Sequence, residues 1–373
     1  MQKPPRQRAQ RPGRNDPCPC GCGRKTKNCR PLSDETLNVI RAKRREMALP
    51  ARPPSAMFDG KMVRAVGDRV HFLNPTETVQ EYFLKVLFET LGQEWYEANE
   101  AKVDRAHVVF KWFGEFEDLK TGKVTGIEQI EVSPGQFSAV PTGNLWSLLC
   151  LAHDVHSLRH GGKMKLDDAL VARLRHPREF QGVRYEVAVA AALTRAGFDI
   201  EWFTDTTRKL PEFKATHRAS GEACVVEAKS RQRSGVLGKS GEPAREDTLG
   251  PDVNKLLRAA KDKERDGLPL VIFLDLNLPE KGWAIQQWIA ALSKEIPEMR
   301  APATAEKPDK FAVLVFTNYA WHWGGQQAAP RPEWIISFST ESVMPLPEVL
   351  REPLTAAAEQ YGRMPAEDDE VAG

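Results

Sequence analysis

Apolar residues recur with a helical period from Thr78 onward, where Val79, Phe83, Val86, Leu87 and Leu91 fall near one face and Trp95 and Tyr96 extend it. The same spacing predicts a helix over about 104–119, with Val108, Val109, Trp112 and Phe116 apolar. Another follows PTGN at 141–144, with Leu145, Leu148, Leu149 and Ala152 inward. A further helix runs from Gly182 to Ala196, its buried side being Val183, Val187, Ala190, Ala191 and Thr194, with Gly197 just beyond its end. There the period changes to two. Phe198, Ile200 and Trp202 alternate along 198–203, a short apolar run follows Pro211, and a strand spans Ala223 to Lys229. DVNKLLRAAKDKERDG returns to helical spacing, with Val253, Leu256, Leu257 and Ala260 inward and Lys255, Arg258, Lys261 and Lys263 exposed. The dense apolar run at 268–279 reads as a central parallel strand after a crossover helix. A helix at 283–292 and strands in FAVLVFTNYAW and at 334–338 complete an α/β pattern, a mixed sheet flanked by helices. Ahead of it, strand character around Val63 and at 70–73, with Gly67 and Asp68 in a turn, opens a mostly helical stretch at 57–175.

The pattern places three chemically expressive side chains together. Residues two apart on a strand share a face, so Glu227 and Lys229 project from one side of 223–229 while Val226 and Ala228 face the other. With Gly221 in the turn of a hairpin, the preceding strand brings Glu212 alongside them. Two carboxylates a few ångströms apart repel unless a cation lies between them, and hard oxygen donors suit Mg²⁺ or Mn²⁺. The alternative is a solvated same-face ion pair on an edge strand.

LPEFKATHRASGEACVVEAKSR, preceded by the helix GVRYEVAVAAALTRAG, resembles the core of the PD-(D/E)xK phosphodiesterases, the restriction-endonuclease-like superfamily. The resemblance implies Glu212 as the first acid, Glu227 as the second, Lys229 as the lysine and Glu186 as the helical glutamate. Glu at the first position replaces the commoner Asp and lengthens that arm by one methylene. It also implies a restriction-endonuclease-like core with a mixed sheet flanked by helices at 176–345. The implied activity is a metal-dependent phosphodiester hydrolase, a nuclease acting on nucleic acid, with DNA the expected substrate. Glu212 and Glu227 are then Mg²⁺ ligands, Lys229 orients the attacking water, and Glu186 ligates a second ion or positions the first. Basic side chains after the ExK strand, Arg231 and Arg233 with Lys239 and Arg245, and Lys255 and Arg258 on the next helix, are candidates for phosphate contacts.

Four of the six cysteines, Cys18, Cys20, Cys22 and Cys29, lie in one short segment, whereas Cys150 and Cys224 sit in apolar surroundings as reduced core residues. Closely spaced thiols and glycines favour a knuckle around Zn²⁺, which would supply the folding energy that so small a unit lacks. GRNDPCPCGCGRKTKNCR resembles the SEC-C motif, which implies Cys18, Cys20 and Cys29 as ligands. Arg30 stands where that family has its fourth ligand, leaving Cys22 as the candidate to complete the tetrahedron. The motif also opens a second functional reading: a catalytically idle adaptor that recruits a protein or ribosome through its zinc module.

The formal net charge of +2 hides an uneven distribution, since residues 1–30 hold nine Lys or Arg and one acid, Asp16, while PAEDDEVAG at the end is acidic. Residues 1–14 are expected to be a disordered basic arm, 15–31 the zinc module, 32–56 a short helix and linker, and 346–373 a tail. No run of about 18 apolar residues predicts a membrane span, and the start lacks the apolar stretch of a secretory signal, so a cytoplasmic protein is expected. His153, His156 and His160 share a helix side without the acids of a metal motif and read as surface or helix-edge residues. Trp321 and Trp323 read as packing against the sheet, and Asp275 and Asn277 as either cleft-facing or turn residues.

Overall fold

The computed structural model describes residues 55–58, 60–66, 69–73, 77–100, 107–121, 129–133, 136–161, 166–242, 249–301, 303–327, 329 and 331–364. The basic arm, the four clustered cysteines, the helix expected after Ser33, Arg245 and the acidic tail lie outside them.

Three strands open the chain as an antiparallel meander: β1 (Ser55–Phe58), β2 (Lys61–Val66) and β3 (Arg69–Leu73). Helix α1 (Val79–Leu91) starts where Thr78 accepts from the Glu81 amide at 3.2 Å and the Glu81 carboxylate accepts in return from the Thr78 amide at 2.9 Å. α2 (Gln93–Glu100), α3 (Val108–Lys120), the hairpin β4–β5 (Gln129–Ser133, Gln136–Ala139), α4 (Gly143–Gly161) and α5 (Asp168–Arg175) follow. Next comes α6 (Phe180–Arg195), buried along almost its whole length between α4 and the sheet. Its run Val187 to Ala192 is small enough to let both neighbours approach closely.

The sheet is six-stranded, in the order β11-β10-β9-β8-β7-β6: β6 (Phe198–Trp202), β7 (Phe213–His217), β8 (Ala223–Ser230), β9 (Leu270–Asp275), β10 (Val313–Asn318) and β11 (Glu333–Phe338). β8, β9 and β10 are parallel, while β6, β7 and β11 pair antiparallel with their neighbours, so the sheet is mixed. Every residue of β9 is buried, as expected for a strand with helices on both faces. Val226, Ala228 and Phe273 join the core under α1, α4 and α6. Val225, Ile272 and Leu274 join a second core under α7 (Pro251–Lys261) and α8 (Ile285–Glu295). Trp321 opens the short α9 (Trp321–Gly324) and is fully buried; α10 (Arg351–Gln360) packs beside α6. Cys150 and Cys224 are buried free thiols.

The histidines of α4 correct an expectation. His153 and His156 are 2% and 5% exposed, not at the surface, and pack on Phe83 with ring centroids 5.1 and 4.7 Å away. Burial pushes the His156 pKa down to about 3 and that of His153 well below the usual histidine value. Helical spacing alone does not say which side of α4 a second helix covers, and here α1 covers the histidine side.

Candidate active site

β7 and β8 form a hairpin whose turn holds Gly221 at φ 74°, a left-handed conformation that glycine adopts without Cβ strain. Its register pairs Phe213 with Val226 and Lys214 with Val225. Continued by one step, with the Glu212 amide donating to the Val226 carbonyl at 3.0 Å, it sets Glu212 across from Glu227. Alternation turns Glu227 and Lys229 to the side of Val225, the face covered by α7, and the three side chains meet there. Lys229 Nζ lies 2.9 Å from Glu212 Oε1 and 2.6 Å from Glu227 Oε1. The Glu227 side chain is 0% exposed, whereas those of Glu212 and Lys229 are 19% and 27% exposed, which leaves the cluster open on one side.

Two cations that the linear pattern did not single out complete the cluster. Lys263, just past α7 and read from the pattern as exposed, turns inward: its Nζ donates to the Leu210 carbonyl at 2.8 Å and lies 3.2 Å from Glu227 Oε1. Its loop is zipped to the segment leading into Glu212, since the Glu264 amide donates to the Lys209 carbonyl at 2.9 Å and Arg208 bonds both Glu264 and Asp266. Arg173 of α5 grips Glu186 with two parallel bonds of 2.7 and 2.6 Å. Glu186 is therefore engaged by the guanidinium and bonds neither Glu212 nor Glu227. The only sequence signal for either cation was its proximity to a motif element, because nothing in local periodicity distinguishes these side chains from solvated ones.

The electrostatics follow from burial. Desolvation raises the Glu227 pKa, with the Glu212 charge adding to it and Lys229 and Lys263 opposing. Glu186 is raised by the same desolvation, against Arg173. Burial disfavours the Lys229 ammonium, yet Glu227 and Glu212 outweigh it and hold its pKa above the ordinary lysine value. Glu227 Oε2 is buried and has no hydrogen-bond partner. The Glu227 carboxylate, buried with neither oxygen hydrogen-bonded and beside a second carboxylate, offers oxygen donors of the kind that fit a hard divalent cation. Among the described residues no three His, Cys, Asp or Glu side chains converge as a metal-binding group.

The expected phosphate-contacting residues divide. Arg231 and Arg233 are 6% and 7% exposed. Arg231 forks onto Asp252 at 2.8 and 3.1 Å and donates to the Leu276 carbonyl, so it ties β8 to the start of α7 and does not face solvent. Lys255 and Arg258 are exposed on α7. Asp275 and Asn277 are both 0% exposed and hydrogen-bonded within the protein, which fits the turn option. Asn277, at φ 48°, donates to the Arg231 carbonyl at 2.7 Å and accepts from Trp323 Nε1 at 3.1 Å, locking the end of β8 against α9.

Searches against protein-family models, curated proteins and solved structures return no match for this chain. No described helix is long and apolar enough to cross a membrane.

Proposed function

We propose that the protein is a metal-dependent phosphodiester hydrolase of the PD-(D/E)xK type that acts on nucleic acid, with DNA the expected substrate. The observation that carries this reading is the meeting of Glu212, Glu227 and Lys229 on one face of the sheet, with Glu227 Oε2 buried and unpartnered. The order of α6, β6, β7, β8, α7 and β9, with β8 parallel to β9, agrees with the restriction-endonuclease-like core that the sequence resembles.

Glu212 and Glu227 are the residues that would hold Mg²⁺ or Mn²⁺. Such an ion, when bound, supplies Lewis acidity toward the scissile phosphate and lowers the pKa of a coordinated water. Lys229, kept charged by the two glutamates, is placed to orient the attacking water and to meet negative charge developing on the phosphate. Glu186 keeps negative potential beside Glu212 while Arg173 fixes its position. Exposed Lys255 and Arg258, on the helix that covers the same sheet face, suit contact with a phosphate backbone. At the N-terminus, Cys18, Cys20 and Cys29 with Cys22 form the proposed structural zinc module, supported by their spacing.

The test is cleavage of plasmid, linear duplex and single-stranded DNA and RNA with Mg²⁺ or Mn²⁺. E227A and K229A are expected to stay folded and lose metal-dependent cleavage. Cleavage by these variants at the wild-type rate rejects the assigned roles.

A further inference from the structure

We propose that this centre takes one divalent cation per chain, and that Lys263 is a positioning residue supplying in the protein the positive charge that a second ion would bring. The inference rests on the metal-dependent reading above. Both Glu186 oxygens are bonded by Arg173, at 2.6 and 2.7 Å. Glu212 Oε1 faces Lys229, and Glu227 Oε1 faces both Lys229 and Lys263. The second oxygen of Glu212 is not part of its contact with Lys229, and both Glu227 oxygens are buried without a hydrogen-bond partner. Two carboxylate oxygens with water completing the shell suffice for one Mg²⁺, which keeps several waters by preference. Paired ions about 3.5–4 Å apart need further donors, and the third acid, Glu186, is occupied by Arg173; among the described residues no group of three forms a metal site.

Charge points the same way. Three carboxylates, Glu186, Glu212 and Glu227, stand against three cations, Arg173, Lys229 and Lys263, so the cluster is neutral as built. One divalent ion makes it doubly positive, a fair match for a phosphodiester and its developing charge. A second ion would be added to an already positive, half-buried cluster. Lys263 is not a mobile surface lysine that could swing away at no cost. The Leu210 carbonyl holds its ammonium, and the Arg208 bridges and the Glu264–Lys209 backbone bond hold its loop.

This division of roles makes an unusual demand on Lys263. Its charge opposes the bound ion while favouring the anionic reacting phosphate, so its removal should strengthen metal binding and weaken cleavage. Mn²⁺ titration of the full chain, followed by the paramagnetic resonance signal of the free ion, reads the first effect. One Mn²⁺ per wild-type chain is expected. K263M should bind Mn²⁺ about tenfold more tightly, from removal of a like charge close to Glu227, yet cleave more slowly, while K263R keeps wild-type affinity. A purely structural Lys263 would lower affinity and cleavage together. Two ions per wild-type chain, or K263M binding no more tightly than wild type, overturns the inference and leaves the hydrolase reading standing. Mn²⁺ binding that is absent, or unaffected in E227Q, removes the metal-dependent reading and this inference with it.

Discussion

Glu227 and Asp275 are carboxylates on adjacent parallel strands of one sheet, both 0% exposed, and they live in opposite circumstances. Asp275 is saturated: it accepts from Ser230 Oγ at 2.8 Å, from the amides of Tyr319 and Asn277 at 3.1 and 3.2 Å, and from Arg184 at 3.4 Å. Arg184 is itself sealed in, with its guanidinium carbon 4.0 Å from the centroid of the Tyr319 ring. Glu227 has two lysine ammoniums beside it, yet neither of its oxygens has a hydrogen-bond partner. A buried acid with every lone pair answered organises the fold. A buried acid whose oxygens are not hydrogen-bonded, next to an open edge, is suited to a cation from outside. The contrast separates architecture from chemistry where burial alone does not.

The sharpest way to break the contrast is to remove Asp275. D275A leaves Arg184 as an uncompensated buried charge, and a loss of about 3–5 kcal/mol of stability is expected in denaturant unfolding. E227Q should shift the same midpoint by no more than about 1 kcal/mol, because burial-raised Glu227 contributes no stability when ionised. Equal losses in the two variants would erase the distinction. The converse difference belongs to catalysis, where K229A should lower the metal-dependent cleavage rate roughly 10²–10³-fold with the fold intact by circular dichroism. The pH dependence of stability should likewise arise away from the site. Protonation relieves buried Glu227, whereas His156 is neutral in the fold down to about 3 and takes up a proton near 6.5 when unfolded. Its contribution to stability is therefore present above 6.5 and lost as pH falls toward about 3. H156Q should flatten that slope by at most about 1.4 kcal/mol per pH unit. An unchanged slope means that another group carries it. The smallest effect is expected at the exposed helix: K255A and R258A should each weaken DNA binding evenly across sequences and reduce its salt dependence by about one unit of slope.

Much of this centre was legible in the linear pattern because its parts are close in sequence. Alternation along 223–229 put Glu227 and Lys229 on one face, and the Gly221 turn brought Glu212 opposite, within one hairpin. The central strand at 268–279 was equally plain, since an unbroken apolar run has no solvent-facing side to explain. Other residues escaped because their partners are remote. Lys263 looks like any outward lysine of an amphipathic helix until its loop meets Lys209 and Leu210. Arg231, expected to contact phosphate, found Asp252, and His153 and His156 were covered by α1.

Taken by itself, the amino-acid order determined the succession of helices and strands around the six-stranded sheet and the hairpin that gathers two acids and a lysine. These follow from the 3.6- and two-residue periods and one left-handed turn, all short-range properties of the backbone. Only the tertiary structure decided that Arg173 would bind Glu186, that Lys263 would enter the cluster, and that Asp275 would be satisfied while Glu227 would not. Those outcomes depend on how separate elements pack, and local periodicity carries no information about which charged side chain lies across a helix–sheet boundary.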